Sequence, residues 1–155
     1  SEFVGGGLID VGCYCISVSR FLFDDEPKQV HGFLKLDPDF EVDYLASGVM
    51  RFEKGTATFS CSTQLHRHQF VKVFGTEGTI EIPLPFNADP DLETELSITR
   101  NSVKKIVRIP PANQYTLQAD AFSKSILQGR PVPRPLKDAL SNMRVIDALF
   151  EQQKR

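Results

Sequence analysis

Apolar residues recur at three- and four-residue intervals through Leu8, Val11, Cys15, Val18 and Leu22, the spacing of one face of an amphipathic helix. Leu8 to Phe23 is therefore predicted helical, with Gly5-Gly6-Gly7 leading in and Asp24-Asp25-Glu26-Pro27 ending it. From Lys28 to Ile109 the period shortens to alternation, first in Val30 to Leu36. Tyr44 to Phe52 and Ala57 to Leu65 flank Glu53-Lys54-Gly55-Thr56, which predicts a hairpin whose glycine supplies a positive φ. Phe70 to Phe74 and Thr79 to Ile82 flank Gly75-Thr76-Glu77-Gly78 and predict a second hairpin. Pro83 to Pro90 reads as a loop, and Leu96 to Thr99 with Ile106 to Ile109 as a last strand pair. Beyond Pro110-Pro111 the helical spacing returns in Tyr115 to Leu127, through Leu117, Ala121, Phe122 and Ile126, and Gly129 stops it. Leu136 to Gln153 is the final helix, with Leu140, Met143, Ile146, Leu149 and Phe150 on one face.

A helix, a long meander and two helices imply an α+β fold: a long, mostly antiparallel sheet with helices packed on one face. Phe, Val and Ile fall on both parities of several strands, so the second face is expected to be covered as well. A homodimer, or a further domain, is the expected cover.

The 155 residues suit one domain, and 41% hydrophobic with 25% charged residues excludes disordered, collagenous and coiled-coil chains. A formal charge of −2 gives no field that would favour nucleic acid or an anionic membrane. No apolar run approaches a membrane span, and the start lacks the pattern of a signal peptide, so a cytoplasmic setting is expected. Charge is unevenly spread: residues 1–99 hold 7 Lys/Arg against 16 Asp/Glu, and residues 100–155 hold 11 against 4. An acidic sheet layer neutralised by a basic helical layer is the expected consequence. The chain begins at Ser1 rather than Met, and Glu2-Phe3 is a dipeptide that a common cloning site encodes. Residues 1–3 are set aside as an expected cloning scar, and residues 4–155 are taken as the domain.

Cys13, Cys15 and Cys61 show no disulfide spacing and are expected to be reduced, buried thiols. Cys13-x-Cys15 and His66-x-His68 carry zinc-type donors, but helical residues two apart point roughly 200° from each other, so no metal is expected. The two histidines are expected on a strand or at an interface. Asp10 and Tyr14 lie four apart near the helix start, one turn apart on one face. A carboxylate and a phenol there can hold and polarise a substrate hydroxyl. They can equally serve structure alone, Asp10 interacting with the helix N-terminus and Tyr14 packing with its hydroxyl bonded.

Gly5-Gly6-Gly7-Leu8-Ile9-Asp10-Val11-Gly12-Cys13-Tyr14 resembles the G-G-x-L-x-D-x-G-x-[HY] signature of the glucose-fructose oxidoreductase, inositol dehydrogenase and rhizopine-catabolism (Gfo/Idh/MocA) family. Val49 to Ala57 is similar to that family's hairpin, Phe74 to Thr79 to its G-T-E-G turn, and Ile126 to Pro131 to its I-x-x-G-R-P segment. Leu136 to Phe150 is similar to its closing helix. The resemblance implies the C-terminal substrate-binding and dimerisation domain of an NAD- or NADP-dependent oxidoreductase acting on sugars, polyols or related substrates. It also implies that an N-terminal Rossmann domain, absent from this chain, binds most of the cofactor, since neither G-x-G-x-x-G nor Glu-Lys-Pro occurs here. The isolated chain is then expected to be inactive. By the same resemblance Asp10 orients the substrate, and Tyr14 stands where many members carry an acid/base histidine. A phenol, with a reference pKa near ~10, is readier to act as an acid than as a base at neutral pH. The competing expectation is a binding or dimerisation module without chemistry of its own.

Overall fold

A computed structural model of the chain describes residues 5–153. The expected cloning scar, residues 1–3, lies outside the described residues. The chain divides into two compact units, one described over residues 5–65 and 134–153 and the other over residues 66–133.

In the first unit a π-helical turn, Leu8–Gly12, runs directly into helix α1, Cys13–Phe23. Strands β1 (Gln29–Leu36), β2 (Asp43–Phe52) and β3 (Gly55–Ser62) form an antiparallel sheet in the order β1-β2-β3. Helix α3, Leu136–Gln152, returns to this unit at the end of the chain. The buried core joins Leu8 and Ile16 to Ala46, Met50, Phe52, Cys61, Val145, Ile146 and Leu149. Each of the larger side chains contributes roughly 1.5–3 kcal/mol by leaving water. Phe23 stacks on Phe52 with ring centroids 4.4 Å apart.

The second unit holds β4 (Val71–Gly75), β5 (Gly78–Ile82), β6 (Thr94–Arg100) and β7 (Val103–Ile109), paired antiparallel in that order, and helix α2, Gln114–Leu127. The side-chain amide oxygen of Asn113 caps α2 by accepting from the Tyr115 and Thr116 amides, and Gly129 follows it at φ +61°. The α+β class and the antiparallel meander are thus present, with the strands divided into two sheets rather than running as one. The division falls at residues 66–70, which are irregular, so His66 and His68 lie on an exposed connection and not on a strand.

Several expected details are corrected. The buried line of the first helical stretch is Leu8, Gly12, Ile16 and Arg20, while Val11 and Cys15 are half-buried and Leu22 is exposed. Gly12 sits where an added Cβ would press on Leu8 and on the Cys61 sulfur, so the helix approaches β3 closely along that line. In α3 the buried positions are Ser141, Val145, Ile146 and Leu149, and Leu140 and Met143 are exposed. In α2 only Ser125 is buried, and Leu117, Phe122 and Ile126 are exposed. Gly55 has no positive φ: the turn is the two residues Glu53-Lys54, and Gly55 instead leaves room for the Phe23 ring. The hairpin that does need positive φ is β6–β7, where Asn101 and Ser102 adopt φ 49° and 62° between the paired Arg100 and Val103.

Charge neutralisation also differs from expectation. Arg100–Glu77, Lys104–Glu81 and Arg108–Glu93 join the basic and acidic parts within the second unit, among its strands and their turns, rather than between a sheet layer and a helical layer. By register, Val71, Val73, Ile80, Ile82, Leu96, Ile98, Val107 and Ile109 share one face of the four-stranded sheet, and Lys72, Glu81 and Lys104 occupy the other. One face of the three-stranded sheet carries Ser47, Thr56, Thr58 and Ser60 together with Leu45, Val49 and an exposed Phe33, while in β4–β7 those aliphatic residues are half-buried except Ile98 and Ile109, and their side also carries Lys105.

Edge strand β1 is protected by α3. Gln152 donates to the Val30 carbonyl and accepts from the Gly32 amide, and Gln153 donates to the Gly32 carbonyl and accepts from the Leu34 amide. Two side-chain amides thereby stand in for a neighbouring strand. Arg20, 7% exposed, fixes α1 to α3: it pairs with Glu26 through two 2.8 Å contacts and with the Asp138 carboxylate at 3.0 Å. Arg20→Met is expected to lower the unfolding free energy by about 1 kcal/mol in urea titration, because it removes a buried cation's bonds to Glu26 and Asp138 but leaves those carboxylates within reach of water. The Arg20 guanidinium holds the Glu26 carboxyl below its ordinary range, so that contribution is complete above the ordinary glutamate pKa and disappears as pH falls through the lower folded value. Glu26→Gln should therefore flatten the acid limb of the stability curve, and an unchanged limb would contradict the pairing.

Candidate functional site

An open cavity of about 590 Å³ lies in the first unit, between the start of the helical stretch, the β1–β2 loop and the ends of β2 and β3. Asp10, Cys13 and Tyr14 line it from the helix. The structure therefore brings the two residues singled out from the sequence to one wall, with Tyr14 49% exposed. The π-helical turn carries Asp10, and the α-helix begins at Cys13, so the pair spans the junction between the two helical forms.

The opposite wall comes from residues with no sequence signal for a site. Asp37 opens the β1–β2 loop, its Oδ1 accepting from the amides of Asp39 and Phe40 and its Oδ2 from the Gln64 side chain at 2.8 Å. The Gln64 bond, with those amides, holds the Asp37 carboxyl below its ordinary range. Phe40 is an exposed aromatic on this wall, and Tyr44 is half-buried, with the Lys35 ammonium 5.6 Å above its ring. Asp37-Pro38-Asp39 reads in sequence only as a turn, and Asp43 only as a polar residue before a strand.

Asp43 closes the floor. Its side chain is 2% exposed, its Oδ2 accepts from the Leu8 amide at 2.6 Å, and its Oδ1 has no hydrogen-bond partner among the described residues. Burial pushes its carboxyl up from the ordinary value, against the lowering effect of the Leu8 amide. Gly6, at φ +123°, lies directly against Oδ1, where a Cβ would collide with the carboxylate. Among the described residues the cavity lining carries three aspartates, Asp10, Asp37 and Asp43, and no Lys, Arg or His.

Among the described residues no group of three or more His, Cys, Asp and Glu is arranged to hold a metal ion, and no helix is long and apolar enough to cross a membrane. The three cysteines are free thiols, with Cys61 buried and Cys13 and Cys15 half-buried.

The fold recurs in solved oxidoreductases. A 3-ketoreductase from Actinomadura kijaniata, in complex with TDP-benzene and NADP, matches with a TM-score of 0.85 at 20% identity, over 97% of this chain and 48% of that one. A UDP-N-acetylglucosamine 3-dehydrogenase from Acidithiobacillus ferrooxidans matches with a TM-score of 0.77 at 14% identity, over 92% of this chain and 46% of that one. The chain belongs to the GFO/IDH/MocA C-terminal domain family, whose profile matches residues 1–81. An uncharacterized oxidoreductase of Rhizobium meliloti is 38% identical over 157 residues, covering 97% of this chain and 47% of the relative. D-xylose 1-dehydrogenase (NADP(+)) 2 of Haloferax volcanii is 30% identical over 151 residues, covering 97% of this chain and 46% of the relative. The chain spans about half the length of these curated relatives.

Burial, chiefly, pushes the Cys61 thiol up to about 12. At pH 8 about one molecule in ten thousand then carries the reactive thiolate. Iodoacetamide at pH 8 should leave Cys61 unmodified in the folded protein and label it in denaturant, as read by peptide mass spectrometry. Labelling of folded Cys61 at the rate of a free cysteine would contradict its burial.

Proposed function

We propose that the chain is the C-terminal part of an NAD- or NADP-dependent oxidoreductase that interconverts a hydroxyl and a carbonyl on a sugar, polyol or related substrate. The observation that carries this reading is the presence of Asp10 and Tyr14 together on the wall of an open cavity, in a chain of this family. The relatives' names support it, two of them a sugar dehydrogenase and a sugar-nucleotide dehydrogenase.

In this reading Asp10 accepts a hydrogen bond from a substrate hydroxyl and fixes the ring, while Tyr14 exchanges a proton with the oxygen at the reacting carbon. The three aspartates, with no cation lining the cavity among the described residues, suit a hydroxylated, uncharged part of the substrate at this wall rather than a phosphate. For the same reason the diphosphate of a nicotinamide dinucleotide does not fit these residues. We assign the cofactor to a Rossmann domain N-terminal to this chain, which on its own would bind substrate without turning it over.

The partly exposed apolar face of β4–β7, with Ile98 37% and Ile109 42% exposed, supports packing against a second copy in a homodimer. A non-catalytic dimerisation module of the same fold would use that face too, but would leave the Asp10 and Tyr14 cavity without a purpose.

In the full-length protein, Tyr14→Phe is expected to lower kcat by about 10²-fold or more on the best sugar or polyol, and Asp10→Asn to lower kcat/KM by a similar factor. Unchanged turnover in both variants would refute the assignment. Sedimentation at micromolar concentration should show a dimer that Ile98→Glu converts to a monomer, and a monomeric parent would refute the packing.

A further inference from the structure

The start of the helical stretch has amides without partners inside the helix, and the side chain that serves the first of them comes from another element. Gly7, the residue before the π-helical turn, offers no capping side chain. Asp43 supplies the acceptor from the first position of β2, thirty-five residues away, through the 2.6 Å bond to the Leu8 amide. The contact is enclosed: Gly6 wraps over Oδ1 at φ +123°, a conformation and a clearance that no residue with a Cβ shares. Asp10, in turn, donates its backbone amide to the Gly6 carbonyl at 3.0 Å. One chain of contacts therefore runs from the Asp43 carboxylate through Gly6 and Leu8 to the turn that carries Asp10 and leads into Tyr14.

We propose that Asp43 is a positioning residue of the candidate site: it ties the helix start to β2 and thereby sets the place of Asp10 and Tyr14 on the cavity wall. The role rests on the reading that Asp10 and Tyr14 meet substrate, and the test separates the two. Its burial makes the tie rigid, because water does not compete for the Leu8 amide at a side chain 2% exposed. Asp43 stands at the end of the sheet: it pairs with Leu36 of β1, the carbonyl of the next residue, Tyr44, accepts from the Thr63 amide at 3.1 Å, and β2 is paired on both sides from Leu45 onward. A positioning group of this kind acts on the geometry of the reacting groups more than on the affinity of the ring.

The test uses the full-length protein with Asp43→Ala, Asp43→Asn and Gly6→Ala, read by amide hydrogen exchange over residues 7–14 and by steady-state kinetics. Asp43→Ala should raise exchange in that segment about tenfold, the scale of a lost helix cap, and lower kcat at least tenfold with KM within about threefold. Asp43→Asn keeps an acceptor oxygen and should restore both readouts to within about threefold of the parent. Gly6→Ala leaves the carboxylate in the chain but displaces it, and should reproduce the Asp43→Ala exchange pattern. If Asp43→Ala does not fold, the Asn and Gly6 variants decide the matter. Parent-like exchange at residues 7–14, or parent-like kcat, in both Asp43→Ala and Gly6→Ala overturns the proposal. If Asp10→Asn and Tyr14→Phe, measured alongside, leave turnover unchanged, the reading of the site fails, and the positioning role falls with it even where the exchange results hold.

Discussion

A single buried carboxylate joins helix to sheet where the cavity begins. Asp43 stands at the first position of β2 and accepts from the first amide of the helical stretch, so the end of a strand and the start of a helix share one hydrogen bond in a place closed to water. The glycine run is shaped by that contact, since Gly6 lies against the carboxylate with a positive φ. Asp43, Gly6 and the helix start together line the cavity, which lies in the unit built of β1, β2, β3, α1 and α3. Placement of the site and integrity of the helix start are therefore two aspects of one contact.

Other fixtures of the same unit act at its far end and along its edge. Arg20 joins α1 to α3 through Asp138 and closes the turn after α1 through Glu26, and the Asn142 side chain donates to the Cys13 carbonyl at 3.1 Å. Gln152 and Gln153 occupy the open edge of β1, which leaves the sheet less prone to pair with another strand. In the other unit most aliphatic residues of β4–β7 share one side with Lys105 and Arg100, and the charged Lys72, Glu81 and Lys104 share the other with Phe74 and Ile106. In the first unit helices α1 and α3 pack on the sheet and complete the core, while in β4–β7 Ile98 and Ile109 remain exposed.

The order of helices and strands was legible because it depends on local period, and the periods of 3.6 and 2 are strong over these lengths. Asp10 and Tyr14 were legible as a pair because their spacing sits in a glycine-led helix start. The buried line of that helix was not, because it runs through Gly12 and Arg20: a glycine buries by allowing close approach, and an arginine by finding two carboxylates, and neither registers as apolar. Ser141 in α3 is the same case, a small polar residue inside while Leu140 and Met143 remain outside. Asp43 and Asp37 were missed because a lone aspartate at a strand or loop end reads as surface, and only tertiary contact turns it inward. The division of the meander into two sheets was hidden too, since antiparallel pairing of neighbours reads alike in one sheet or two.

The proposed chemistry requires that the Asp10 and Tyr14 wall meets the substrate. The most direct measurement is a crystal structure of the full-length protein with its nicotinamide cofactor and a bound sugar or polyol. Substrate hydroxyls are expected within hydrogen-bond distance of both the Asp10 carboxylate and the Tyr14 phenol, with the ring in the cavity between the helix start and the β1–β2 loop. A substrate bound elsewhere, with that cavity filled only by solvent, would contradict it.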